Sequence, residues 1–347
     1  MSPALKVVAP GAHTTVQDFG RFGYQQLGVP VSGALDSESL RLANALVRNP
    51  PDMAGLEILY QGPTLEVTAE SARVAISGFG AMIQVLSDTV YNIGPWASVL
   101  LKRGQIFRIT LDGTASSCYL ACEGGFDLPV CLNSFSTYVR GKLGGFHGRP
   151  LKIGDELRLK IKTSPEGEDL RLPKPPDFSQ EQSIRINWGL QHDMFKEESQ
   201  QSFLNEPFTI LPESDRMGYR IDGPKLYHRD SYDIVSDGIA TGAIQVPGNG
   251  QPIILLADHQ TTGGYPKIAT VISADIPALG RLRPGDTINF SVVTIEEAEK
   301  IRRHKEEAIN MLVNNIKPAN PVIQIDLKVL YSTNLISGVV GPEHEGH

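Results

Sequence analysis

Apolar and polar residues alternate along several short stretches of this chain: Leu65-Glu66-Val67, Ile106-Phe107-Arg108-Ile109, Leu157-Arg158-Leu159-Lys160-Ile161 and Ile184-Arg185-Ile186-Asn187-Trp188. A period of two puts successive side chains on opposite faces of a pleat, so these stretches predict half-buried antiparallel strands. Helical periodicity is confined to three places. Asp36 can N-cap a segment running to Arg48, with Leu40, Ala43 and Val47 on one face. A less regular run extends from Gln191 to Leu204. Thr294-Ile295-Glu296-Glu297 is a capping box, and it opens an amphipathic run through Ala298, Ile301, Ala308, Ile309 and Leu312 to about Ile316. The pattern is that of a mainly β protein with a few short helices.

One local pattern recurs. Leu101-Lys102-Arg103-Gly104-Gln105-Ile106-Phe107-Arg108-Ile109 resembles Leu151-Lys152-Ile153-Gly154-Asp155-Glu156-Leu157-Arg158-Leu159, and both resemble Leu282-Arg283-Pro284-Gly285-Asp286-Thr287-Ile288-Asn289-Phe290. Each copy is a tight turn ending in Gly, a polar residue, then an alternating strand. We read this as duplication of a β-barrel-like unit. The first unit is placed at residues 1–162 and the second at 183–298. Residues 299–347 hold the end of the last helix and an extension. Residues 163–182, rich in Pro and charge and without apolar period, are expected to be a linker. The extension from Lys317, with a strand-like Val322 to Leu330, reads as a partner-binding or dimer-swapped arm.

Composition sharpens this picture. A length of 347 residues suggests about two domains. The 34 Gly and 24 Pro exceed average usage and disfavour a helix bundle. A net charge of -7 argues against binding nucleic acid or anionic membranes, since no basic patch is available to neutralise phosphates. The three cysteines, Cys118, Cys122 and Cys131, form no Cys-x-x-Cys motif and read as reduced core thiols. Met1 to Pro10 lacks a basic and then apolar leader, and no apolar run approaches the ~18 residues of a membrane span. A cytoplasmic location is expected.

Phosphate-loop, Gly-x-Ser-x-Gly and His-Glu-x-x-His motifs are absent, and the histidines lack metal-ligand spacing. His344-Glu345-Gly346-His347 is one residue short of the zinc motif, so no metal is expected. No Ala-Met-Lys-Met-type lysine marks the chain for biotinylation. The chemistry concentrates in two Gly/Thr/Pro-rich stretches, Pro10 to Asp36 and Ile244 to Lys267. Glycines there let backbone N–H groups approach a ligand, while Thr hydroxyls and a Lys can bind an oxyanion or carboxylate. Asp258 could orient or deprotonate an amide nitrogen. The competing reading is turn punctuation, with Asp and Thr satisfying the local backbone.

These stretches resemble signatures of the allophanate-hydrolase-subunit-2, or KipA-like, family of biotin-dependent carboxyltransferase domains. The family includes the C subunit of bacterial 5-oxoprolinase and the carboxyltransferase region of urea carboxylase and urea amidolyase. The resemblance rests on PGAHTTVQDFGRFGYQQLGVPVSGALD, LANALVRNPP followed by Leu56-Glu57, Gly62-Pro63, and Gly124 to Phe126. It continues through SFSTYVRGKLGGFHGRPLKIGD, SDRMGYRIDGP, IQVPGNGQPI and DHQTTGGYPKIATVISADIPALGRLRPGD, in family order over about residues 4 to 298. It implies two cyclophilin-like β-barrel domains and a KipI-like subunit 1 as partner. It also implies an enzyme subunit, inactive alone, acting on a small amide-type substrate. The reaction would be carboxyl transfer from carboxybiotin on a partner carrier, or ATP-dependent lactam opening through the complex. Urea, allophanate and 5-oxoproline stay open as substrates. The alternative is a KipA-type regulatory protein that antagonises a kinase inhibitor. A homo-oligomer is compatible with either reading.

Within that resemblance the candidate catalytic residues are Asp258, Thr261, Thr262 and Lys267. Candidate substrate-binding residues are Gln245, Gly263, Gly264, Tyr265, Arg216, Tyr219, Arg220, Ser136, Arg140, Asp18 and Arg21, with Thr137 beside them. Each has a plain structural alternative: a surface lysine for Lys267, a surface ion pair for the Arg216 group, and an Asp18–Arg21 salt bridge. The chain departs from the family pattern at His259, where relatives carry Arg, so a fixed positive charge is lost. It also departs at Gly189 to Phe195.

Overall fold

The computed structural model describes residues 3–87, 89–177 and 183–319. Its first half wraps two antiparallel sheets around one core. One sheet has the order Glu156–Arg158, Ala4–Ala9, Thr64–Val67, Ile106–Leu111, Ala81–Leu86, Tyr91–Ile93. The other runs His13–Gln17, Gly55–Leu59, Ser117–Cys122, Ser71–Ser77, Ala97–Lys102, Leu170–Arg171, Lys317–Pro318. Leu5, Val7, Leu56, Ile58, Val74, Ile83, Phe107 and Leu120 meet between the sheets with 0–1% exposure. Each such side chain contributes about 1.5–3 kcal/mol of burial.

Strands Ser71–Ser77 and Ser117–Cys122 are buried along their whole length because both faces are covered. Cys118, Leu120 and Cys122 face the core between the sheets, whereas Tyr119 and Ala121 face helix α1 (Ser37–Leu46) through Leu40, Ala43 and Leu46. The period-two rule therefore holds here, but both faces are apolar. As expected, Asp36 caps α1, its carboxylate accepting from the backbone N–H groups of Glu38 and Ser39 at 3.1 and 3.0 Å.

The second half is a closed barrel of seven strands in the order Ser183–Trp188, Lys267–Val271, Ala243–Gln245, Ile253–Leu255, Gly218–Asp222, Phe208–Ile210, Thr287–Val292. A parallel pairing, Ser183–Trp188 with Thr287–Val292, closes the ring. Phe203, Phe208 and Phe290 stack at its centre, with ring centroids 4.5–5.8 Å apart. The run expected to be helical from Gln191 is broken. A single turn at His192–Met194 precedes Phe195, which is extended (φ -95°, ψ 147°) and buried in the barrel core, before helix α2 (Glu197–Asn205) begins.

The recurring turn is one device used three times. Gly104, Gly154 and Gly285 have φ of 83°, 85° and 92°, and nothing crowds a Cβ at any of them, so backbone conformation alone calls for glycine. In each copy the following polar side chain accepts from a backbone N–H three residues earlier: Gln105 from Lys102, Asp155 from Lys152, Asp286 from Arg283, at 2.7–2.8 Å. The glycine N–H is donated to a neighbouring strand, at Val67, Val7 and Ile210 respectively.

Three elements join the halves. Leu35, from the first Gly/Pro-rich loop, packs in the barrel core. Helix α3 (Ile276–Arg281), absent from the sequence reading because Pro277 and Gly280 disguise it, brings Gly280 against Leu35. The Gly280 carbonyl accepts from the hydroxyls of Ser116 and Ser117, and Arg281 pairs with Asp36 at 2.8 Å and Glu38 at 3.2 Å. Helix α4 (Ile295–Asn314) carries the predicted capping box at Thr294 and Glu297. It crosses back onto α1 through Arg41–Glu306 at 2.6 Å, and after it Lys317–Pro318 pairs with Leu170–Arg171.

The expected linker is only partly one. Arg73, 1% exposed, holds its start through Asp169 and the carbonyls of Pro165 and Gly167, and Leu170–Arg171 is a sheet strand. The strand-like Val322 to Leu330 and the terminal histidines lie outside the described residues. Among the described residues, no helix is long and apolar enough to cross a membrane.

Candidate functional site

A groove lies where the two halves meet. It consists of two adjoining clefts of ≈ 270 and ≈ 310 Å³ that share Arg140, Asp215 and Met217. The first half supplies His13, Tyr60 and Arg140. The barrel supplies Asp215, Arg216 and Asp258 to the smaller cleft, and Gln245, Gln260, Tyr265 and Arg220 to the larger. Arg140 and Asp215 span the groove as an exposed ion pair at 3.6 Å.

Arg216 anchors the groove floor. Its guanidinium binds Asp258 in a fork, Nε to Oδ2 at 2.9 Å and Nη2 to Oδ1 at 3.2 Å. It also donates to Glu57 of the first half and, at 2.8 Å, to the carbonyl of Gly33. Glu57 completes its shell with the Tyr119 hydroxyl at 2.7 Å and the Leu35 N–H at 2.8 Å. Burial opposes the Arg216 charge, yet Asp258 and Glu57 outweigh it and raise the guanidinium above its usual range. Tyr119 is driven up by burial and then by Glu57, so it stays a neutral donor. Asp258 is thus half of a buried ion-pair cluster tying the halves together.

Lys267 and Gln245 are cross-strand neighbours in the barrel. Both are buried, at 7% and 3% exposure. Gln245 Nε2 and Lys267 Nζ find no hydrogen-bond partner among the described residues, a condition that costs about 1–3 kcal/mol per buried group. Among those residues, the charge partner of Lys267 Nζ is Asp237 Oδ2 at 3.4 Å, beyond good hydrogen-bond length. Asp237 is half-exposed, and a hydrogen bond from Gly238 N–H and then Lys267 hold its carboxyl below the ordinary range. Asp237 sits opposite Gly263 in a two-strand ribbon, and a Cβ on Gly263 would lie 2.7 Å from Gln245 Nε2.

Several expectations need correcting. Arg220 stands apart from Arg216 and Tyr219, so the three are not one cluster. Tyr219 and Arg220 point to opposite faces of strand Gly218–Asp222, so Tyr219 is buried in the barrel core while Arg220 is exposed at the cleft. Asp18 and Arg21 do not pair with each other. The Asp18 carboxylate accepts from Gly20, Ser134, Phe135 and Ser136. Arg21, fully buried, donates to the carbonyls of Cys131 and Ser136. Ser136 serves Asp18, and the Thr137 hydroxyl donates to the Val16 carbonyl. These four therefore hold the first loop together and do not line the groove clefts. Thr261 accepts from Ile239 N–H, Gly264 accepts from Ile234 N–H, and Thr262–Gly263 form one strand of the ribbon.

His259 is buried, with Nδ1 2.6 Å from the Gln260 carbonyl and Nε2 3.1 Å from the Thr241 hydroxyl. Burial lowers its pKa, so the ring is neutral at neutral pH. Cys118 and Cys122 are free and buried. Burial raises the first, and burial with Glu123 pushes the second up to about 12, which removes both from nucleophilic chemistry at neutral pH.

Glu57, His13, Asp215 and Asp237 escaped the sequence reading. Glu57 carried a usable signal: an acid inside the apolar strand Gly55–Leu59 needs a buried cation. Asp237 carried none, since it stands in an ordinary polar loop.

The family pattern described as "Carboxyltransferase domain, subdomain A and B" matches residues 27–292. Similarity extends to the C subunit of the Haemophilus influenzae 5-oxoprolinase, 37% identical over 85% of this chain and 93% of the relative. The C subunit of the Escherichia coli 5-oxoprolinase is 36% identical over 89% of this chain and 97% of the relative. Among solved structures, the Kluyveromyces lactis urea amidolyase aligns with a TM-score of 0.82 at 32% identity, covering 90% of this chain and 20% of that one. The chain belongs to the carboxyltransferase-domain family to which these enzyme components also belong.

Proposed function

We propose that this chain is the C-type subunit of a multi-subunit enzyme acting on a small amide, of the 5-oxoprolinase kind. The observation that carries this reading is the end-to-end correspondence with 5-oxoprolinase C subunits, 93% and 97% of their lengths, against 20% of the urea amidolyase chain. The inter-half groove supports it: its larger cleft is lined by Gln245, which has an unspent donor and whose cross-strand neighbour Lys267 carries another, and neither is a nucleophile. Such donors suit an amide, ureido or carboxylate oxygen that gains charge during reaction. They do not form a triphosphate cradle, so ATP is assigned to partner subunits, a KipI-like subunit 1 among them. The purified chain is expected to be inert toward 5-oxoproline and ATP, and to support turnover once both partner subunits are added. Turnover by the lone chain overturns the split-subunit reading.

A second reading, carboxyl transfer from a carrier-borne carboxybiotin to urea, is favoured by the TM-score of 0.82 to the Kluyveromyces lactis urea amidolyase and urea carboxylase. Biotin would supply the activated carboxyl, and Gln245 and Lys267 would bind and orient an oxygen. Activity with biotin carboxylase and carrier partners on urea, but not with the lactamase-type partners, decides for it. Capture of a kinase inhibitor by the chain, unaffected by Lys267→Ala, would favour the regulatory alternative.

A further inference from the structure

Beside the larger cleft, reached through the cleft-lining Gln245, lies an unequal charge arrangement that points to a more specific role. Gln245 and Lys267 stand side by side across two barrel strands, buried, each with a donor left without an acceptor among the described residues. Both meet the Asp237–Gly238/Thr262–Gly263 ribbon. Gly263 lies against Gln245 Nε2, and its strand partner Asp237 reaches toward Lys267 Nζ at 3.4 Å. Asp237 is thus a half-exposed carboxylate facing the Lys267 ammonium at 3.4 Å, a long and weak contact. Gln245 also lines the larger cleft, with Tyr265 and Gln260 at its mouth, and Gln260 Nε2 lies 3.4 Å from Gln245 Oε1.

We propose that Gln245 and Lys267 form a carboxylate-binding subsite of this groove, and that Asp237 is an exchangeable internal counter-ion which the ligand's carboxylate displaces. The proposal rests on the amide-substrate reading above and adds which end of the substrate is held here. A lactam or amide bearing a carboxylate would place that carboxylate on Lys267 Nζ and Gln245 Nε2, leaving the amide toward the open cleft. No covalent step is involved. Lys267 and Gln245 act as binding residues, and Asp237 acts through them as a competitor. The half-exposed side chain of Asp237 and its place on a short ribbon make this exchange cheap compared with breaking the Arg216 fork.

The test uses the full chain and two probes of the same ring, 5-oxoproline and 2-pyrrolidinone, which lacks the carboxylate. Binding is read by calorimetry or ligand-observed NMR. The wild-type chain should prefer 5-oxoproline. Lys267→Met should lose that preference by ~10-fold or more. Lys267→Arg should retain part of it, and Asp237→Asn should bind 5-oxoproline about 2–5-fold more tightly. Thermal melts confirm that each variant is folded; Asp237→Asn, at an exposed position, keeps the test valid if Lys267→Met is not. Equal binding of the two probes overturns the proposal, as does failure of both to bind, or a wild-type response of Asp237→Asn. Turnover by the reconstituted complex is a separate readout. If turnover persists while the preference is absent, the subsite fails and the functional reading stands.

Discussion

Two buried cations, Arg216 in the groove and Lys267 beside the cleft-lining Gln245, are used differently. Arg216 meets two carboxylates, Asp258 and Glu57, both 7% exposed or less, and a carbonyl as well. Lys267 is 8% exposed but meets one carboxylate, itself 51% exposed, at 3.4 Å. Guanidinium geometry explains part of this, since a planar fork can satisfy a bidentate acid and a second acid at once, whereas an ammonium is a point charge. The larger lesson is that burial does not separate scaffold from site. In this pair the difference lies in how far the hydrogen-bonding capacity of the buried cation has been used up.

The comparison is broken most directly at Arg216. Arg216→Met leaves Glu57 and Asp258 as uncompensated buried charges, and a loss of about 3–5 kcal/mol in denaturant unfolding is expected. A loss below ~1 kcal/mol would show that this cluster does not tie the halves together. Next comes the packing seam beneath it. A Cβ at Gly280 would meet the Leu35 carbonyl carbon at 2.7 Å and Asp36 N at 2.9 Å. Gly280→Ala should therefore cost about 1–3 kcal/mol by overpacking, read in the same assay. Gly285→Ala tests the repeated turn, where the left-handed backbone and not space is limiting; about 1–2 kcal/mol is expected, with like values at Gly104 and Gly154. Lys267→Met sharpens the contrast from the other side: it loses one weak contact to half-exposed Asp237 and relieves a buried donor, so stability should hold or rise by up to about 1–3 kcal/mol.

The smallest effect is a pH slope. Burial lowers the pKa of both His13, beside Arg216, and His259, beside Asp258. A histidine depressed in the folded state binds more protons when unfolded, so its contribution is complete above the unfolded value of about 6.5 and fades as pH falls through the lower folded value. Unfolding free energy measured from pH 7 down to 5 should decline, and His259→Gln should flatten part of that decline. An unchanged slope in the variant would remove His259 from the account.

Much of the fold was legible because strong local signals agree with it. Alternation located Ile106–Leu111 and Ser183–Trp188, Asp36 announced α1, and the Thr294–Glu297 box announced α4. The Gly104, Gly154 and Gly285 turns were visible as a repeat because the same backbone requirement is met by the same residues. What escaped was decided by tertiary context. Helix α3 holds a Pro and a Gly, and Phe195 breaks the second helix because its ring is needed in the barrel core. Of the residues picked by type and motif, Gln245, Arg140 and Asp258 line the groove, and Lys267 is the cross-strand neighbour of Gln245. The same reading also gathered Asp18, Arg21, Ser136 and Tyr219, which serve the first loop or the barrel core. A sequence displays a polar side chain but not its partner. Asp18 and Lys267 read alike until their acceptors and donors are counted in space.

Helix α4 and the short strand after it carry a consequence for how the molecule is made. Lys317–Pro318 is the edge strand of the sheet built by the first half, and Ile316 packs beside α1 and Trp96. During synthesis the amino-terminal sheet emerges first, yet its outer edge and the apolar patch around Leu42, Trp96 and Leu172 wait for Leu312 to Pro318, made after the whole barrel. An unpaired edge beside uncovered apolar surface invites association with other chains. The nascent protein is thus most vulnerable to aggregation late in translation. Chains truncated before α4 are expected to precipitate with the barrel intact, because the patch then lacks Leu312, Val313 and Ile316, which cover it.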